Sequence, residues 1–233
     1  MRTADLSKTL DHTVLAPETT REDIERACER ARAVHVAAVC ASPRYTRVVA
    51  ARLRGSDVRT CAVIDAPFAH RVRGQIAVAE RAVREGADEL DVPINLAALR
   101  AGAFGVARDE LLRLVRAIRT CAANDGRGQV LVKAIIEAPL LDEAHVRMAC
   151  KIVADAGADF AITSGGLGTP VAPHDVELLR ESLPDHICVT ASGGVRTVPE
   201  VHAMIAAGAA RVGSASAVEV LEQIRATNRR KHP

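Results

Sequence analysis

The chain has 233 residues, 48% of them apolar and 2% aromatic, with a formal net charge of +2. That length and apolar share suit one substantial core, and a single α/β barrel commonly reaches this size. The near-balanced charge, the lack of a basic block and the scarcity of aromatics argue against a nucleic-acid partner, and no apolar run approaches the ~20 residues that cross a membrane.

Short β-branched runs alternate with longer amphipathic stretches along the whole chain. Strands are expected over residues 10–15, 36–40, 59–64, 89–94, 130–137, 160–163, 186–190 and 210–213. Helices are expected over 20–33, 74–85, 108–123, 142–156, 173–182 and 199–206, with Asp, Ser or Thr before them and Gly after them. Gly86, Gly157 and Gly208 each follow a helix and suit the left-handed position that ends one. Eight strands with helical segments between them, in one domain spanning residues 1–233, point to an α/β fold, a single TIM (β/α)8 barrel. An open doubly wound sheet competes less well, because no GxGxxG follows the first strand. The tail Arg229-Arg230-Lys231-His232-Pro233 reads as a short charged end, solvated or frayed. Residues 1–5 lack the apolar core of a signal peptide. The six cysteines, at 28, 40, 61, 121, 150 and 188, have no CxxC spacing and read as small buried thiols in a reducing compartment, the cytoplasm.

In such a barrel, chemistry sits where strands give way to the loops that follow them. Three late strand ends are rich in glycine and serine: Thr163-Ser164-Gly165-Gly166, Ser192-Gly193-Gly194 and Gly213-Ser214-Ala215-Ser216. Backbone N–H groups in such turns can approach an anion, so Thr163, Ser164, Gly166, Ser192, Gly193, Gly194, Gly213 and Ser216 are candidate ligands for a phosphate. The alternative is that these glycines only make tight turns. Strand four offers Asp91, and strand five offers Lys133 and Glu137, which alternation puts on one face. Lys133 is expected deep in the barrel, Glu137 nearer the mouth, and Asp91 beside Lys133 on the adjacent strand. A structural ion pair and a proton relay are both open readings of that pair. Asp11 and His12 alternate faces, so only one points inward. Asp65 ends strand three with His70 shortly after, and is either a general base or a turn cap.

Laid end to end, these motifs resemble the deoxyribose-phosphate aldolase family over nearly the whole chain. The resemblance rests on Leu10-Asp11-His12-Thr13, on Ala37 to Cys40 with Pro43-Arg44-Tyr45, and on Gly86 to Glu89 leading to Asp91. It continues through Lys133 to Glu137, Gly157 to Phe160 and Ser192 to Thr197. It implies reversible aldol cleavage of 2-deoxyribose 5-phosphate through a lysine Schiff base, with no metal or organic cofactor, and a homo-oligomer, for example a homodimer. It also implies that the aspartate assisting proton transfer is Asp91. The Schiff-base lysine of the family falls on Ile162, and the second lysine, which tunes the first, falls on Thr190. Gly165, Leu167, Ala215, Pro93 and Asp65 also depart from the family pattern, and most of these departures gather at the mouth.

A hydrocarbon cannot form an imine. Three functions remain open for a barrel without that amine. The first is an enzyme acting on a small carbonyl or phosphate substrate by acid–base chemistry, with Asp91, Lys133, Glu137 and Asp65 as the catalytic candidates. The second is an aldolase whose imine has moved to Lys133. The third is a non-catalytic ligand-binding or scaffold protein.

Overall fold

The computed structural model describes residues 6–64, 72–166 and 170–231, with side chains through residue 227. Asp65, His70 and Leu167 lie outside the described residues. The barrel is closed and all its strand pairs are parallel, in the order of the chain. Its strands are β1 (Leu10–Val14), β2 (Ala38–Ala41), β3 (Arg59–Val63), β4 (Glu89–Pro93), β5 (Leu131–Ile135), β6 (Phe160–Ile162), β7 (Cys188–Ser192) and β8 (Arg211–Ser214). The helices that return the chain are α1 (Arg21–Val34), α2 (Thr46–Leu53), α3 (Val72–Glu85), α4 (Leu96–Arg100), α5 (Phe104–Asn124), α6 (Glu143–Ala156), α7 (Pro173–Ser182), α8 (Val198–Ala206) and α9 (Ala217–Lys231). Local chemistry sets their ends. Thr20 caps α1 in a reciprocal pair with Asp23, Thr197 caps α8 in the same way with Glu200, and Gly157 closes α6 at φ 74°.

The main core lies between strands and helices, where outward residues such as Leu90, Val92, Val132 and Val189 are fully buried. The barrel interior is different. Moving the strand register by one residue per strand, as a shear of eight requires, stacks the inward side chains in layers of four. From the bottom these are Ala38, Glu89, Phe160 and Arg211, then Asp11, Cys61, Lys133 and Thr190. Above them lie Cys40, Asp91, Ile162 and Gly213, and finally Thr13, Val63, Ile135 and Ser192. Two lower layers filled with charge are costly unless every charge is paired.

Several expectations need correction. The helices α2, α4 and α9 carry no signal in the periodicity, and the helical backbone of α9 continues to Lys231, so the charged end is not frayed up to that residue. Strand five stops at Ile135, because Glu137 takes the left-handed conformation (φ 54°, ψ 51°) and turns the chain. Strand seven begins at Cys188 and runs to Ser192. Among the described residues, no helix is long and apolar enough to cross a membrane.

Candidate active site

Lys133 is the centre of the barrel interior. Its ammonium lies 2.9 Å from Glu89, 3.0 Å from Asp91 and 3.3 Å from Asp11, with no exposure of its own. Arg211 reaches the same cluster from β8, at 2.8 Å from Glu89 and 3.0 Å from Asp11, and Arg59 joins Glu89 from below at 3.2 Å. Burial alone would lower the pKa of Lys133. The carboxylates of Asp11 and Asp91, with Cys61 and Glu89, outweigh it and hold the ammonium well above the usual lysine value. Burial would also raise the pKa of Glu89, but Lys133 and Arg211 bring it down to about 2. Asp91 goes the other way. Burial raises its pKa, helped by Asp11, against the pull of Lys133 and a hydrogen bond from Cys61 Sγ at 3.2 Å. It is also the acid of this cluster that reaches toward the mouth: its side chain is 10% exposed, against 2% for Asp11 and 0% for Glu89.

The expected pairing of Asp91 with Lys133 is therefore present, by direct register as well as by contact. Glu89 and Arg211 belong to the same cluster although sequence reasoning did not single them out. The available signal was their spacing, two residues before Asp91 and two before Gly213, on the inward face of their strands. His12 points out of the barrel, toward the charges of Glu219 and Arg30, and burial lowers its pKa.

Ile162 stands in the layer of Asp91, buried at 3% exposure, and pairs in register with Thr190. The residues after β6 are already engaged with one another. The Thr163 hydroxyl donates to Ser192 O and accepts from Ser192 N–H, each at 2.9 Å. Ser164 Oγ donates to Glu137 at 2.8 Å and accepts from Gly166 N–H at 2.9 Å, while Gly165 N–H donates to the other Glu137 oxygen at 2.8 Å. A carboxylate thus caps the turn after β6. The hydroxyls of Thr163 and Ser164 and the N–H of Gly166 are all engaged in this arrangement. Gly193 and Gly194 take φ 114° and 85°, a backbone that side chains resist. Ser214 Oγ accepts from Ser216 N–H at 3.0 Å and donates to Val195 O at 2.6 Å, which folds the β8 end toward the β7 end.

A cavity of about 530 Å³ opens at the mouth on the β1 to β5 side. Its walls are largely apolar, with Leu15, Val63, Pro93 and Ile135, and carry the polar groups of Arg44, Tyr45 and Glu137. Asp91 lies one layer beneath the Val63 and Ile135 that floor it. Among the described residues, one group has metal-ligand spacing: Cys40, Cys61 and Asp91, whose ligating atoms lie within 4.8 Å of one another. Burial, Cys40 and Asp91 push the Cys61 thiol well above its ordinary pKa, and the Lys133 ammonium touches Asp91. A protonated thiol and an adjacent ammonium fit a metal ion poorly.

With this geometry in hand, comparison with known proteins places the chain. A model of the family described as DeoC/LacD family aldolase matches residues 6–220. The chain belongs to the DeoC/LacD aldolase family. It is 37% identical over 221 residues to the deoxyribose-phosphate aldolase of Clostridium tetani, covering 94% of this chain and 99% of that protein. It is 41% identical over 226 residues to the deoxyribose-phosphate aldolase of Micrococcus luteus, covering 95% and 97%. Among solved structures it resembles QR15, an aldolase, with TM-score 0.88 and 29% identity over 96% of this chain and 97% of the other. It also resembles the tetrameric deoxyribose phosphate aldolase of Aeropyrum pernix, with TM-score 0.84 and 29% identity over 97% and 93%. The TIM barrel and an aldolase-like lyase function follow from this membership.

Proposed function

We propose that the chain is a lyase of this family that cleaves or forms a carbon–carbon bond beside a carbonyl by acid–base chemistry, without a covalent imine. The observation that carries this reading is the contrast within one layer of the barrel: Ile162 on β6 offers a hydrocarbon, while Asp91 on β4 offers a carboxyl whose pKa is raised. A carboxyl whose pKa is raised gives and takes protons more readily than an ordinary carboxylate. In the cleavage direction, ionised Asp91 takes the proton of the substrate hydroxyl. The carbon–carbon pair flows into the carbonyl, an enolate and an aldehyde separate, and Asp91 returns the proton to the enolate carbon. Lys133, bonded to Asp91 from below, favours the ionised form that takes the proton.

Lys133 serves this reading as a charge and not as a nucleophile, since a fully buried ammonium bonded to three carboxylates has no free amine to offer. The Gly193-Gly194 turn and the β8 end near Ser216 remain the proposed seat of a phosphate or other anion, with Ser192 and Gly213 lining the approach. Glu137, Thr163, Ser164 and Gly166 are proposed to shape the mouth. The apolar cavity suits a substrate with a larger or less polar portion than a small sugar phosphate. Six free thiols support a reducing compartment, the cytoplasm, and the relatives support a homo-oligomer. The test is Asp91→Asn, assayed for turnover of phosphorylated and unphosphorylated β-hydroxy carbonyl compounds. Loss of about a hundredfold or more supports the assignment; a variant as active as the parent removes it.

A further inference from the structure

Three buried polar atoms on neighbouring strands have no hydrogen-bond partner: Asp11 Oδ1 on β1, Thr190 Oγ1 on β7 and Arg211 Nε on β8. Strand β8 lies between the other two, and Thr190 pairs in register with Arg211. Asp11 and Thr190 share one layer of the interior, with Arg211 in the layer beneath. Asp11 and Thr190 are 1% and 2% exposed, so bulk solvent does not serve them. Asp11 Oδ1 does lie 3.0 Å from a terminal guanidinium nitrogen of Arg211, but that contact lacks hydrogen-bond alignment and leaves Nε unused. Buried polar groups are nearly always paired, and these three sit on adjoining strands of the barrel interior.

We propose that Asp11, Thr190 and Arg211 bind one buried water molecule, and that this water is a second proton-transfer station of the barrel. The donor inventory selects the ligand. Arg211 Nε–H requires an acceptor, Asp11 Oδ1 requires a donor, and the Thr190 hydroxyl takes either part. Water meets all three. A cation offers Nε–H nothing and would sit beside the guanidinium and the Lys133 cluster, and an anion would face Asp11. The position also connects upward. Ser192 stands two residues above Thr190 on the same inward face, and Gly213, in the layer between, puts no side chain in the way. A Cβ on Gly213 would meet Ser192 Oγ at 3.0 Å. The column Thr190 to Ser192 therefore leads from the water to the mouth on the β7–β8 side, facing Asp91 on β4. The binding site stands on the fold alone; the proton-transfer role rests on the acid–base reading above.

The test is a high-resolution crystal structure of the full chain in three forms: the parent, Thr190→Val and Thr190→Ser. The expected result is a single density peak within about 3.2 Å of all three atoms in the parent and in Thr190→Ser, lost in Thr190→Val. A parent map with the three side chains ordered and no peak overturns the site, as does a peak that survives unchanged in Thr190→Val or one with the short contacts of a metal ion. The role is read separately, from the pH profile and solvent isotope effect of turnover. Thr190→Val should lower kcat by about a hundredfold and reduce the isotope effect, and Thr190→Ser should restore both. An unchanged rate and isotope effect in Thr190→Val overturns the role. The crystallographic result is independent of the Asp91→Asn assay, so a failure of the acid–base reading and a failure of the site are told apart.

Discussion

At the residue scale the deciding fact is how the buried charges pair. Asp11, Glu89 and Asp91 all depend on Lys133, so Lys133→Met should destabilise the fold by about 3–5 kcal/mol, the cost of leaving buried charges unpaired, as measured by urea unfolding. Glu89 carries a pH signature. Its pKa is 4.5 when unperturbed and about 2 in the fold, so the folded state holds its proton less tightly than the unfolded one. The stability this contributes is complete above about pH 4.5 and is lost as pH falls toward 2. Unfolding free energy measured across that range should fall with acid in the parent, and Glu89→Gln should fall less steeply; identical slopes would contradict the pairing. The Asp91–Lys133 contact was legible in the sequence because adjacent strands and alternation suffice to find it. The Arg211–Glu89 contact was not, because it crosses the interior from β8 to β4 and depends on how the closed barrel stacks its layers.

At the scale of elements, the order of strands and the long amphipathic helices were legible from periodicity and end signals. The short helices α2 and α4 were not, since eight and five residues leave too few turns for a period to emerge. The end of β5 was also misread: alternation extends the strand to Glu137, but the left-handed backbone there turns its carboxylate across to the β6 end. Gly165 makes that contact possible, because a Cβ on it would meet Glu137 Oε1 at 2.8 Å. Gly165→Ala should push the carboxylate away from Gly165 N–H and Ser164 Oγ and cost about 1–3 kcal/mol. Hydrogen exchange at residues 164–166 should speed up in that variant; unchanged protection would mean that the glycine does not set the contact.

At the scale of the whole molecule, the family model and the closed barrel place this chain among the DeoC/LacD aldolases. Ile162 and Thr190, side by side in the barrel interior, carry the proposal that this chain works without an imine. If the scaffold is otherwise intact, restoring both amines with the double substitution Ile162→Lys and Thr190→Lys should produce a barrel that forms an imine, detected as a borohydride-reduced adduct on residue 162 by peptide mass mapping. The most direct measurement uses the parent chain: incubation with acetaldehyde and with 2-deoxyribose 5-phosphate, borohydride reduction, and mapping of every lysine. No reduced adduct is expected at Lys133 of the parent, while the double variant is labelled at residue 162; a stoichiometric adduct at Lys133 of the parent would overturn the imine-free proposal.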